Sequence, residues 1–205
     1  MKNAIDFYNK TATDWSDEWL NEKQQSHVVE KFCNCFTEAG TFHPRILDLG
    51  CGVGYDSKIA YDNGAKVVGV DLSEKLIEIA KKRVKACKFF VGDITDKFTS
   101  LGKFDGIMCL ATITHVDTTM MRTTLQNMAQ VLKKGGLLIV SSLDGSGKNV
   151  EKSLANIDGE TYDKNYNNYT ASELCAFAYP TLKLVDTWLF DDYEEGWKYY
   201  IFTKV

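Results

Sequence analysis

Between Arg45 and Leu143 the chain alternates short, almost continuously apolar runs with longer stretches of helical periodicity, and no other feature narrows its folding choices as far. The spacing predicts strands over Arg45–Leu49, Lys66–Val70, Lys88–Val91, Phe104–Leu110 and Gly136–Leu143. These runs are rich in Val, Ile and Leu without a polar face, as strands covered on both sides are. Helices are predicted over Tyr55–Asn63, Ser73–Val84 and Thr118–Leu132. In the second of these, Leu72, Leu76, Ile79, Ala80 and Val84 recur at three- and four-residue spacing, the stripe of a helix lying on a core. Ser73 reads as its N-cap, and Asn63-Gly64 ends the helix before it. Strand and helix in alternation call for an α/β, doubly wound sheet, mostly parallel, with helices on both faces.

Outside that core the rhythm changes. Residues 1–40 read as an N-terminal cap of one or two amphipathic helices carrying Phe7, Tyr8, Trp15 and Trp19. Ser142–Thr170 is a long polar stretch with Asp144-Gly145-Ser146-Gly147 and three tyrosines, Tyr162, Tyr166 and Tyr169. Loops of this length inside a compact domain are usually functional or partly disordered; 144–170 is expected to be a substrate lid, with its tyrosines on a solvated loop as the alternative. A short helix, Ala171–Ala178, precedes two β-like runs, Thr181–Phe190 and Trp197–Val205, joined by the acidic turn Asp191–Gly196. Together these runs predict an antiparallel hairpin on the sheet edge, with Trp188, Trp197, Tyr199 and Tyr200 as core and sheet-face residues. With two prolines and no linker or repeat, all 205 residues are expected to form one domain.

A formal net charge of −4 does not suit a protein that clamps a phosphate backbone, so nucleic acid is not an expected partner. No apolar run approaches the roughly 20 residues that span a bilayer, and Met1–Lys10 holds no signal-peptide core. The expectation is a cytoplasmic chain with no membrane partner. The six cysteines (Cys33, Cys35, Cys51, Cys87, Cys109, Cys175) show no C-x-x-C spacing. They are expected to be reduced, mostly buried thiols, and no metal site is expected.

The chemistry gathers at Ile46-Leu47-Asp48-Leu49-Gly50-Cys51-Gly52-Val53-Gly54-Tyr55-Asp56, where a buried strand runs through three alternate glycines into a helix. Such a turn lets a ligand approach main chain without a Cβ in the way. Asp71 closes the second strand 17 residues past Gly54, placed to accept the two hydroxyls of a ribose. Asp93, in Val91-Gly92-Asp93-Ile94, follows the third strand, where a carboxylate can meet an adenine amino group. All stand at the carboxyl ends of parallel strands, where open α/β sheets bind ligands. A dinucleotide fingerprint, G-x-G-x-x-G, does not fit, because counted from Gly50 its third position is Tyr55.

As an ordered set, these motifs resemble the class I S-adenosylmethionine-dependent methyltransferases of small-molecule type. Asp48-Leu-Gly-Cys-Gly-Val-Gly54, Val70-Asp71-Leu-Ser73, Gly92-Asp93-Ile94, Phe104-Asp-Gly-Ile-Met-Cys-Leu110 with His115 after it, and Leu132-Lys-Lys-Gly-Gly-Leu-Leu-Ile-Val140 carry the likeness. The resemblance implies a seven-stranded sheet with an antiparallel last strand. It also implies the cofactor S-adenosylmethionine, with S-adenosylhomocysteine as product. Carried over, Gly50, Cys51, Gly52 and Gly54 lie against the methionine part and Asp48 helps hold its ammonium. Asp71 takes the ribose, Leu72 packs on the adenine, Asp93 and Ile94 face the base, and Leu110 and Ala111 line the far side of the methionine part. Tyr8 and Trp15 resemble an aromatic cap over the cofactor.

A sulfonium methyl is already electrophilic, so alignment and exclusion of water do most of the work. His115 is the one candidate base, and a structural ring in the loop is the alternative reading. After the fourth strand the chain reads Cys109-Leu-Ala-Thr112, without the Asn/Asp-Pro-Pro-Tyr that grips a flipped base or the Pro-Cys of the pyrimidine C5 enzymes. The expected acceptor is therefore a small molecule with an O, N or S nucleophile, met by His115 and by Tyr162, Tyr166 and Tyr169 of the lid. A catalytically silent cofactor-binding protein and a protein or peptide methyltransferase stay open as alternatives. The sequence leaves monomer or homodimer undecided.

Overall fold

The computed structural model describes residues 3–21, 26–143, 150–189 and 196–205, with the side chains of 14–21, 150–153 and 165 outside the description. Seven strands form one mostly parallel sheet in the order β3-β2-β1-β4-β5-β9-β8, and β6 and β7 pair separately. The chain divides into two compact units, residues 5–94 and residues 95–205 with the start of the chain.

The first unit holds α1 (Ala4–Asn21), α2 (Ser26–Glu38), β1 (Arg45–Leu49), α3 (Tyr55–Asp62), β2 (Lys66–Asp71), α4 (Glu74–Arg83) and β3 (Lys88–Val91). The β1–β2 and β2–β3 pairs are both parallel. The Ser73 hydroxyl accepts the Leu76 N–H and caps α4 as its position predicts. Leu76, Ile77 and Ala80 form the buried stripe of that helix, whereas Leu72 ahead of it stays 38% exposed. Beneath the glycine turn, Cys51, Ile77, Ala80, Val84 and Phe89 make one apolar cluster, and Tyr8 of α1 packs on a second cluster of Ala12, Val53 and Leu76. β3 departs from the expectation of strands covered on both faces: Phe90 and Val91 are 44% and 49% exposed, because β3 is the sheet edge.

The second unit holds β4 (Phe104–Cys109), α5 (Thr118–Val131), β5 (Leu132–Leu143), β6 (Val150–Ile157), β7 (Glu160–Asn167), α6 (Ala171–Ala178), β8 (Leu182–Leu189) and β9 (Trp197–Lys204). β4 and β5 are parallel, while β9 runs antiparallel to both β5 and β8. The terminal hairpin and the antiparallel last strand agree with the sequence expectation, and Trp188, Tyr199 and Tyr200 are buried in it. β5 begins at Leu132 and not at Gly136, since strand geometry follows directly on the last turn of α5.

The largest departure lies in the polar stretch expected to be a loop. From Val150 to Asn167 it is an antiparallel hairpin, β6–β7, closed by Asp158-Gly159 with φ of 52° and 78°. Two successive residues with positive φ form the tight turn whose twist matches paired strands, and Asp-Gly is a favoured sequence for it. Asp144-Gly145-Ser146-Gly147 and the acidic cluster Asp191, Asp192, Glu194 and Glu195 lie outside the described residues. Among the described residues no helix is long and apolar enough to cross a membrane. All six cysteines are free thiols, three buried and three half-buried, so fewer are buried than expected.

Candidate functional site

The first unit brings three carboxylates to the glycine turn. Asp48, on β1, is 2% exposed, and its Oδ2 accepts the Ser57 hydroxyl at 2.6 Å. Burial foremost, then the charge of Asp56, pushes the Asp48 carboxyl up to about 8. Burial pushes Asp56, in the first turn of α3, up to about 6. Asp71 ends β2 with both oxygens engaged: Oδ2 accepts the Gly52 N–H at 2.9 Å and Oδ1 the Ser73 N–H at 2.8 Å. Its carboxyl is raised by burial, and those N–H bonds oppose the rise. A carboxylate oxygen has a further lone pair, so Asp71 stays able to accept a ribose hydroxyl. Gly92 N–H donates to the Asp71 carbonyl at 3.0 Å, which ties the Asp93 loop to the same strand end. Asp93 is half-buried and Ile94 buried.

The turn spends its own donors internally. Gly50 and Cys51 N–H both reach the Val70 carbonyl (2.7 and 3.1 Å), Gly52 N–H reaches Asp71, and Gly54 N–H reaches the Cys51 carbonyl at 2.8 Å. Four of the five N–H groups from Gly50 to Gly54 are thus occupied, and Asp56 holds negative charge at the helix start where a pyrophosphate would sit. A turn with most of its donors spent and carboxyl groups around it offers little to a pyrophosphate and suits a ligand that carries a cation. The Cys51 side chain points into the core, its thiol raised well above the ordinary range by burial, then by Asp48 and Asp71. Gly54 has a φ of 84°, and a Cβ there would stand 3.1 Å from Phe89 and 3.3 Å from Ala80 and Val84. Tyr8 is half-buried on α1, and Trp15 lies in the same helix with its side chain outside the description.

The second unit carries the other assigned residues. Leu110 is buried, and Ala111 takes a left-handed φ of 50° directly past β4, a conformation costly for a residue with a Cβ and often kept at functional sites. Its N–H donates to the Ser141 hydroxyl at 2.7 Å. His115 ends a short 3-10 turn over Ile113–His115. Its ring centroid lies 4.9 Å from that of Tyr166 on β7, and the Lys164 ammonium stands 6.0 Å from the Tyr166 centroid. Tyr162 is buried and donates to Glu160. Tyr169 is 3% exposed, and its hydroxyl donates to the Val116 carbonyl at 2.9 Å. Of the three tyrosines, the structure places Tyr166 beside His115, whereas the hydroxyls of Tyr162 and Tyr169 are spent on protein acceptors.

Residues 46–136 match a family model described as a methyltransferase domain. Over those residues the chain is similar to methyltransferase domains. A ubiquinone biosynthesis O-methyltransferase from Coxiella burnetii is 30% identical over 140 residues, 66% of this chain and 58% of that protein. A malonyl-[acyl-carrier protein] O-methyltransferase from Serratia marcescens is 27% identical over 126 residues, 60% of this chain and 49% of that one. The chain therefore spans about half the length of the curated relatives it matches. In fold, it is similar to the crystal structure of magnesium protoporphyrin IX methyltransferase from Synechocystis PCC 6803 with bound SAM, at a TM-score of 0.75 and 17% identity, covering 98% of this chain and 95% of that one.

Around these positions several polar residues escape a reading of the sequence. Ser57 bonds Asp48, and the Ser73 hydroxyl donates to the Asn9 side chain at 2.6 Å, linking α1 to the end of β2. Ser141 and Ser142 are fully buried at the end of β5, and two adjacent serines closing an apolar strand are the one signal that could have marked them. Nothing in the sequence distinguishes Asn167, whose amide donates to the Val116 carbonyl at 2.9 Å.

Proposed function

We propose that this chain transfers the methyl group of S-adenosylmethionine to a small-molecule nucleophile and releases S-adenosylhomocysteine. The observation that carries the reading is the glycine turn, with its N–H groups spent and Asp48, Asp56 and Asp71 around it. When bound, the cofactor would supply a sulfonium methyl open to in-line attack by an acceptor lone pair, the methyl–sulfur bond breaking to leave the thioether of S-adenosylhomocysteine. Asp48 would hold the ammonium, Asp71 the ribose hydroxyls, Asp93 and Ile94 the base, and the half-exposed Leu72 a face for the adenine. Leu110 and Ala111 are assigned to the methionine part, and Tyr8 with Trp15 to the cap. His115 would take the proton that leaves the acceptor, and Tyr166 would help wall the acceptor pocket. The β6–β7 hairpin, within 144–170, is the substrate lid of this reading. Because the named relatives are O-methyltransferases, oxygen is the first acceptor atom to test. The free state of all six thiols supports placing the reaction in the cytoplasm.

The test is to incubate the full chain with S-adenosylmethionine and a panel of phenols, carboxylic acids, amines and thiols. Mass spectrometry then follows S-adenosylhomocysteine and methylated product. The expected result is equimolar formation of both with one acceptor class. A protein that binds the cofactor yet forms no product with any of the panel supports the silent-binder alternative. His115→Ala is expected to lower turnover with cofactor affinity retained; equal turnover returns His115 to a structural role.

A further inference from the structure

We propose that Asn167 and Tyr169 are positioning residues that hold the His115 turn in place through one shared acceptor, the Val116 carbonyl. The inference rests on the acceptor-side role just given to His115; it adds Asn167, which no motif assigns, and gives Tyr169 a positioning role in place of contact with the acceptor. Two donors from the end of the lid hairpin converge on that oxygen: the Asn167 amide at 2.9 Å and the Tyr169 hydroxyl at 2.9 Å, with Asn167 also 3.4 Å from the Thr114 carbonyl. The carbonyls of Thr114 and Val116 flank His115 on either side. Fixing both fixes the backbone from which the His115 ring projects.

The donors are themselves held. Tyr169 is buried edge-to-face against Phe177, its N–H donates to the Ser142 hydroxyl at 2.9 Å, and its carbonyl accepts the Tyr200 hydroxyl at 3.4 Å. The other end of the turn is pinned as well, since the left-handed Ala111 is bonded to Ser141. The His115 turn is therefore strung between two neighbouring serines of β5, through Ala111 on one side and through Tyr169 and Val116 on the other. Tyr166, one residue before Asn167, belongs to the same strand, so the clamp that sets the turn also sets the His115–Tyr166 ring pair at 4.9 Å. Lid and candidate base then move together, and a change in the hairpin is felt at His115.

His115 is one of three histidines, so its ring Cε1–H signal can be followed in the full chain and assigned with His115→Gln. Tyr166→Leu gives the signal position without the neighbouring ring. The clamp variants are Tyr169→Phe, which removes one oxygen and keeps the packing, Asn167→Ala, and the double variant. The expected result is a partial displacement of the His115 signal toward the Tyr166→Leu position in each single variant and a near-complete one in the double. S-adenosylhomocysteine affinity should stay within about twofold of the parent. If the double variant does not fold, Tyr169→Phe alone decides. A purely structural role for these residues would lower the melting temperature while leaving the His115 signal in its parent position, and that outcome overturns the proposal. Failure of the parent protein to bind S-adenosylhomocysteine would instead strike at the methyl-transfer reading, with the displacement still readable.

Discussion

Asp48 is a buried carboxyl group whose ionisation the fold opposes. Its pKa is raised to about 8 from an unfolded value of roughly 3.9, so between those values the folded state keeps a proton that the unfolded chain has lost. Stability from this group is present below the unfolded value and drains away as pH rises through the folded one. Asp48→Asn should therefore gain stability over the parent progressively from roughly pH 4 to pH 8, read from urea melts across that range, while losing affinity for S-adenosylmethionine. A constant gap at all pH values would contradict the assignment. Asp71→Ala should weaken cofactor binding by roughly 1.5–3 kcal/mol, because a charged acceptor for two hydroxyls disappears; unchanged calorimetric affinity would displace the ribose. At Gly69 on β2, a Cβ would stand 2.5 Å from the Phe89 ring and 2.9 Å from Cys51 Sγ. Gly69→Ala should cost about 2–3 kcal/mol of stability by overpacking, and a neutral effect in denaturant melts would mean that Phe89 yields freely.

Elements specified by their own local pattern are legible in the sequence, and those held by distant partners are not. β1 and β3 ended where their apolar runs end, and α4 began at its serine cap, since each is specified by its own local pattern. The β6–β7 hairpin is not legible because polar residues such as Lys152, Ser153, Asn156, Asp163, Lys164 and Asn165 leave its strands without an apolar alternation, and only the Asp158-Gly159 turn signals pairing. Gly159 carries a φ of 78° with nothing near a would-be Cβ, so Gly159→Ala should cost the hairpin about 1 kcal/mol through conformation alone. Hydrogen exchange should show the loss within 150–167 and not in β8–β9. Past β4, Ala111→Gly relieves the left-handed strain and should stabilise by about 0.5–1 kcal/mol. Ser141→Ala removes the acceptor for the Ala111 N–H and should cost about 1–3 kcal/mol. Opposite signs for these two, in one set of melts, would confirm that the serine holds a strained turn.

Over the whole molecule, the sheet is legible because a parallel, doubly wound order follows from the alternation of runs, and the gathering of carboxylates at the glycine turn because both stand at strand ends. The surroundings of His115 are less legible: Ser141, Ser142 and Asn167 act there through hydrogen bonds between residues distant in sequence. The central claim is that an acid-ringed turn with spent N–H groups takes a sulfonium nucleoside and not a dinucleotide. Calorimetric titration of the full chain with S-adenosylhomocysteine, with NADH in a parallel cell, tests it most directly. The expected result is micromolar binding of S-adenosylhomocysteine and none of NADH. Binding of NADH alone, or of neither by a folded sample, would contradict it.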